Sequence, residues 1–279
     1  MDIRGWVVSC LFLVLSILSF GAGEHWTIGG RAAALGGTSL TASDEWSVFN
    51  NQAGLAWCRD FSAGLYYENR YLLKELSLDA IEVTIPEGKG AFGISFRYFG
   101  CSLYSEMNTG VAYGMRLMKR FSVGIQVDYF RLHIADGFKD INGISCEMGL
   151  QFRASDHLWL GFHVANPVPE KLSSLTTDRI PTLMRFGLSW HIIEGLQSNI
   201  EVEKDLINKP GLNAGIEYRP SKSLVVRLGF LTNPETFTFG FGINFGNIQF
   251  DIASSYHLVL GYSPQASVLY NFGKKKATQ

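Results

Sequence analysis

The chain has 279 residues, 47% apolar and 18% charged, with a formal net charge of −1 and a mean hydropathy of +0.09. A nearly neutral chain of this kind excludes nucleic-acid recognition through a basic surface. Beyond residue 23 no run of eighteen apolar residues occurs, which excludes a bundle of membrane-spanning helices.

The N-terminus reads as a leader. Arg4 precedes the apolar run Gly5–Phe20, and the small residues Gly21, Ala22 and Gly23 follow. This is the layout of a cleaved secretory signal peptide over residues 1–23. The alternative, an uncleaved anchor, lies near the lower length limit for a spanning helix. Of the cysteines, Cys10 falls in the leader. Cys58, Cys101 and Cys146 are odd in number and widely spaced, so neither a disulfide framework nor a metal site is signalled, and no metal or other cofactor is expected.

Residues 24–58 form the next unit, a periplasmic or lumen segment. Its centre, Gly29–Ala56, is too rich in glycine for a strand and lacks the long amphipathic face of a stable helix. Asp44 and Glu45 mark the start of a short helix, with Ser43 or Asp44 as its cap. Asn50, Asn51 and Gly54 tolerate positive φ and permit a tight fold-back.

From Arg59 onward the apolar residues recur with period 2. Phe121, Val123, Ile125, Val127 and Tyr129 alternate with Ser122, Gly124, Gln126 and Asp128; Phe237, Phe239, Phe241, Ile243 and Phe245 alternate with Thr238, Gly240, Gly242 and Asn244. The pattern predicts fourteen strands near 59–68, 76–85, 89–99, 108–118, 120–133, 143–154, 157–166, 181–192, 196–205, 211–219, 222–231, 235–245, 247–254 and 264–272. Connections after even strands are tight (Met118–Lys119, Ser155–Asp156, Gly246). Those after odd strands are mostly longer, including Asn166–Ile180 and Ser255–Ser263. That asymmetry is the arrangement of an outer-membrane barrel whose short turns are periplasmic. The expected fold is therefore all-β, a 14-stranded antiparallel transmembrane barrel over residues 59–272, with a short N-terminal plug in the lumen and a periplasmic tail at 273–279.

The non-apolar face of the strands carries Gly64, Gly93, Gly114, Gly124, Gly149, Gly161, Gly187, Gly215, Gly229, Gly240 and Gly242. It also carries the charges Arg97, Arg116, Asp128, Glu147, Arg185, Glu201, Glu203, Glu217, Arg227 and Asp251. A soluble sandwich gives glycine no reason to prefer that face. In a lipid-facing barrel it is the inner face, and glycine inside a strand is costly unless something must come close. The lumen is therefore expected to be filled, and Gly29–Ala56 is the segment available to fill it. Arg31, once enclosed, needs a carboxylate; Glu201, Glu203, Glu217 and Asp251 face the right way.

The run Gly30-Arg31, Leu35-Gly36-Gly37, Asp44, then Asn51-Gln52-Ala53-Gly54-Leu55-Ala56 resembles the N-terminal signature of FadL-like outer-membrane barrels, within them the PorV/PorQ group of Bacteroidetes. The resemblance covers the plug motif specifically and the barrel by architecture. It implies that Asn51–Leu55 form the turn where the plug meets strand one. It also implies a non-enzymatic component of protein secretion or surface assembly of the type IX kind, with secretion-machinery or exported proteins as partners. The wider FadL-like class implies the alternative, a channel for small hydrophobic molecules gated by the plug. Either protein sits in outer-membrane lipid. Gln52 stands where the family carries proline, which loosens the turn after Asn51 and restores a backbone donor.

Catalysis is not expected. His25, His133, His157, His163, His191 and His257 are scattered, and no nucleophile elbow, paired metal ligands or phosphate loop appears. His163 and His191 face inward on adjacent strands, and the simpler reading of each is a hydrogen-bonded lumen residue. The connection Asn166–Ile180 is long enough to fold over the outer mouth. The apolar tip Tyr256–Leu260 reads either as a contact for lipid, ligand or partner, or as a plain extension of its two strands.

Overall fold

The computed structural model describes residues 26–135, 140–167, 182–205 and 209–273. The expected signal peptide, most of the long connection Asn166–Ile180 and the tail after residue 273 lie outside these.

Fourteen antiparallel strands close into one barrel, each paired with its neighbours in sequence and β1 with β14. They are β1 Ser62–Asn69, β2 Ser77–Glu87, β3 Gly90–Gly100, β4 Tyr104–Met118, β5 Phe121–Ile134, β6 Ile141–Arg153, β7 Leu158–Ala165, β8 Leu183–Ile193, β9 Leu196–Asp205, β10 Gly211–Tyr218, β11 Leu224–Thr232, β12 Glu235–Phe245, β13 Ile248–His257 and β14 Gly261–Asn271. Closure leaves no strand edge, the condition for β-structure in hydrocarbon. Among the described residues no helix is long and apolar enough to cross a membrane; the crossing is made by strands.

The period-2 pattern divides the wall into two faces. Val111, Ile125, Val127, Phe239 and Phe241 stand exposed on the outside, while Ser122, Gln126, Asp128, Thr238 and Asp251 are buried on the inside. In water such an outer surface would be unfavourable by roughly 25 cal/mol per Å² of apolar area; against acyl chains it costs nothing.

The chain enters β1 and leaves β14 at one end of the barrel, the terminal end; the far end lies opposite. Connections at the terminal end are short, as at 119–120 and 246–247. The far end is less loop-rich than the sequence suggests. β4 begins at Tyr104, because Ser105 pairs with both Gly100 and His133. β13 and β14 run to His257 and Gly261, so only 258–260 connect them. Tyr256 and Tyr262 pair across these strands with ring centroids 4.8 Å apart, and this aromatic pair carries the ladder beyond the point where alternation fades.

Residues 26–58 lie inside the wall. They contain a short helix at Gly30–Ala34, another at Ser47–Asn50 and a 3-10 helix at Gln52–Trp57. Neither Ser43 nor Asp44 caps the second helix; its N-cap is Trp46, with no side-chain cap bond. The capping side chain is Asn51, whose Oδ1 accepts from Ala53 N at 3.2 Å at the head of the 3-10 helix.

Candidate functional site

The inner segment has an apolar side and a polar side. Trp26, Ile28, Trp46, Val48, Phe49 and Leu55 form one buried cluster with Tyr66, Leu78, Ala80, Ala91 and Ala112 of β1–β4. Trp26 meets Phe99 edge-on at 4.2 Å, with the Arg70 guanidinium 3.5 Å above its ring. The Asn50 side chain ties the segment to itself, accepting from Ile28 N at 3.3 Å and donating to Ile28 O at 2.8 Å.

The polar side faces β6–β14. Arg31 Nε donates to Glu217 Oε2 at 2.8 Å, and its Nη1 lies 3.3 Å from Asp44 Oδ2. The same Glu217 oxygen takes Arg227 Nε at 2.8 Å, and Arg227 Nη1 reaches Asp251 at 2.5 Å. Burial alone would lower the Arg31 pKa; Glu217 and Asp44 outweigh it and raise it, so the guanidinium stays charged. Glu201 holds backbone and not Arg31. Its Oε1 accepts the N–H groups of Ser39 and Leu40 at 2.5 and 2.6 Å. Gly36 N donates to Thr238 Oγ1 and that hydroxyl donates to Ala34 O, both at 2.9 Å. Gly30 N donates to Ser267 Oγ at 3.1 Å.

Around the 3-10 helix the anchors are side-chain amides. Asn51 Nδ2 donates to Leu40 O at 2.7 Å and Leu150 O at 3.2 Å. Gln52, fully buried, donates from Nε2 to Glu147 Oε2 at 2.7 Å. His163 Nε2 lies 3.0 Å from that oxygen, and Arg185 stands 3.2 Å from His163 Nδ1 while donating to Asn50 O. Gln52 therefore does not loosen this turn: its amide fastens it to the wall, which proline could not do. His191 is not part of this group; its ring lies 4.9 Å from Trp159.

The inner glycines make room for the segment. A Cβ on Gly215, Gly229 or Gly240 would strike Leu35, Gly36 or Ala34. On Gly161 it would strike Leu40, on Gly149 Asn51, on Gly124 Gln52 and Ala53, on Gly114 Gln52 and Leu55, on Gly93 Val48 and Leu55, and on Gly64 Trp46. Gly187 and Gly242 instead clear space for Glu201 and for Asp251 with Arg227. Gly36 and Gly37, with φ of 67° and 77°, make the turn after Leu35, a backbone that other residues adopt only with strain.

Of the other inward charges, Arg97, Arg116 and Asp128 make no hydrogen bond to the inner segment among the described residues. Asp128 accepts from Gln126 at 2.7 Å, and Glu203 sits opposite Gly211. Sequence reasoning did not single out Ser267, Thr238, Ser189 or Gln151, although each bonds the segment. Gln151 Nε2 donates to Leu40 O and Ala42 O at 2.9 and 2.6 Å. Their one sequence signal is a hydrogen-bonding side chain at an inner-face position.

Glu45, partly buried, titrates at about 7, pushed up by burial first and by the charge of Asp44 second. A carboxyl raised above its ordinary value of 4.5 favours the packed state only while protonated. Its contribution is full below about 4.5 and is lost as pH climbs through about 7. The segment should therefore be held more tightly at pH 5 than at pH 8, and Glu45→Gln should flatten that difference. Single-channel leak recorded across this range is the check; an unaltered pH profile in the variant would remove Glu45 from the account.

No family model matches the sequence, and no curated protein matches it. Solved structures do match in fold. The Ralstonia pickettii toluene transporter TbuX aligns at 13% identity and a TM-score of 0.67, over 90% of this chain and all of that one. A Pseudomonas aeruginosa FadL homologue aligns at 12% and 0.69 over the same shares. The P. putida toluene transporter TodX aligns at 13% and 0.67, over 90% of this chain and 99% of its own. The chain thus has a FadL-like barrel fold.

Proposed function

We propose that this FadL-like barrel is an outer-membrane passage for small hydrophobic molecules, with residues 26–58 as the plug that gates it. The observation that carries this reading is a group of apolar side chains on the inner wall toward the far end, set among the inward Arg97, Glu106 and Asn108. Tyr66 and Leu78 stand beside the plug, Phe99 follows, and Phe130 and Leu132 lie buried near the far end. The lumen of an aqueous porin is polar; an inward phenyl ring and isobutyl group beyond the plug suit an apolar permeant. Solved barrels of this fold include toluene transporters, which supports the same substrate class. In this reading residues 1–23 are the signal peptide, the terminal end is periplasmic, and the protein does no covalent chemistry.

The test has two arms. Cells carrying the protein should take up radiolabelled toluene several times faster than cells without it; equal rates would sink the passage. Deleting residues 29–52 should admit small polar solutes such as arabinose in a liposome-swelling assay. Unchanged swelling would show that the segment does not seal the lumen.

A second reading, a PorV/PorQ-type component of secretion, is favoured by the motif Asn51–Ala56 together with Gly30-Arg31 and Leu35–Gly37. It requires a tagged protein to bring down secretion-machinery proteins from outer membranes. The far-end connections at 101–103, 233–234 and 258–260 are tight and offer a large partner little surface at those three positions.

A further inference from the structure

At the terminal mouth a group of donors converges, several of them without a hydrogen-bond partner among the described residues. Arg116 on β4 stands opposite Ser122 on β5, and Arg153 on β6 opposite Trp159 on β7, all on the inner face. Trp57, at the end of the plug's 3-10 helix, closes the group from inside. The Arg153 guanidinium lies 3.5 Å from the Trp57 ring centroid and 4.0 Å from that of Trp159, and the Arg116 guanidinium 5.4 Å from Trp57. Trp57 Nε1, Ser122 Oγ and Arg153 Nε are buried and make no hydrogen bond in the described structure, and Ser122 is fully enclosed. Neither arginine has a carboxylate within ion-pair distance among the described residues. The inner-face acid Glu147 is engaged by Gln52 and His163, and Asp156 pairs with Arg120 on the exposed surface.

Two guanidiniums drawn to one indole without a counter-charge repel each other, and buried N–H and O–H groups left unbonded cost free energy. Both costs fall if Trp57 and the two arginine side chains shift to admit an anion among these donors, which are enclosed as they stand. Stacking on Trp57 and Trp159 fixes the plane of Arg153, leaving its edge donors aligned for a planar, two-pronged acceptor.

We propose that Arg116, Ser122, Arg153 and Trp57 form a binding site for an oxyanion, a carboxylate or phosphate, at the periplasmic mouth. The site stands whatever crosses the lumen. Because Trp57 belongs to the plug and the other donors to the wall, a bound anion ties one to the other. The anion is either the acidic head of an amphiphile leaving the barrel or a free periplasmic anion.

Calorimetric titration of the full-length protein in neutral detergent at low salt, with acetate, inorganic phosphate and octanoate as probes, tests this. At least one probe should bind saturably, with a change in tryptophan fluorescence. The double variant Arg116→Gln/Arg153→Gln should weaken binding about ten- to hundredfold, and Arg153→Lys, which keeps the charge but loses the fork, should weaken it less. Heat-modifiable migration on a gel verifies that each variant is a folded barrel. Octanoate binding with acetate and phosphate silent assigns the site to an amphiphile's head; acetate or phosphate binding assigns it to a free anion. No saturable binding of any probe overturns the proposal, as does binding that the double variant leaves unchanged.

Discussion

Glu217→Ala is expected to release the inner segment while leaving the barrel closed. One oxygen of Glu217 receives both Arg31 and Arg227 at 2.8 Å and the other lies 3.4 Å from the exposed Arg219, so alanine strips a carboxylate from three guanidiniums at once, two of them enclosed. Arg227 keeps Asp251 at 2.5 Å, but Arg31 is left with Asp44 at 3.3 Å. Removing one partner of a buried ion pair costs about 3–5 kcal/mol because the remaining charge is stranded. The β-ladder on either side of Glu217 is made by backbone groups and does not depend on its side chain, so the loss falls on the docking of the segment. Cys58 reports it. The thiol is buried and its pKa is pushed well up by that burial, which keeps the reactive thiolate scarce. In a Cys101→Ser/Cys146→Ser background, maleimide labelling of Cys58 should rise by about a hundredfold or more when Glu217 is removed, and Glu217→Asp should restore part of the protection. Labelling as slow as in the parent would mean that the apolar side alone holds the segment.

Gly124→Leu attacks the same docking by packing rather than charge. A Cβ at Gly124 lands on the backbone of Gln52 and Ala53, atoms fixed by the 3-10 helix and by the Asn51 and Gln52 side chains. Neither side can yield by turning a rotamer. Overpacking of a well-filled core costs typically about 1–3 kcal/mol, and a clash with backbone lies at or above the upper end. The expected product is a closed barrel with the segment displaced, seen as increased swelling of liposomes in arabinose together with faster Cys58 labelling. Ile125→Leu, the adjacent outward position, is the control and should behave as the parent. Tight liposomes with Gly124→Leu would show that the close fit is not what seals the lumen.

Glu217 and Gly124 differ in how far the sequence exposes them. Glu217 is one of four acids able to take Arg31, and nothing in the sequence ranks it above Glu201, Glu203 or Asp251. Only the folded chain shows that Glu201 binds backbone N–H groups, and that Asp44, from the segment itself, joins Arg31 instead of capping a helix. Gly124, by contrast, stands out in the sequence as a costly glycine on an inner face, and the reason for it is visible once the segment is in place.

Alternation by itself determined the fourteen strands, their inner and outer faces, and the need for a lipid-like exterior. The physical reason is that facing direction is a local property: successive side chains in a strand point to opposite sides whatever lies beyond. Alternation fades at Tyr104–Thr109 and at Ser255–Ser263, so β4, β13 and β14 are longer than their patterns, held by cross-strand pairing that no single strand records. Which wall residue meets which residue of the inner segment was decided only by closure, since the pairing of β1 with β14 and the stagger of every strand set the height of Ser267, Thr238, Glu201 and Glu147 in the lumen. Gln52 marks that boundary most clearly. Read along the chain it is a missing proline and a looser turn; in the closed barrel its amide meets Glu147 at 2.7 Å, a partner ninety-five residues away that only the curvature of the wall brings within reach.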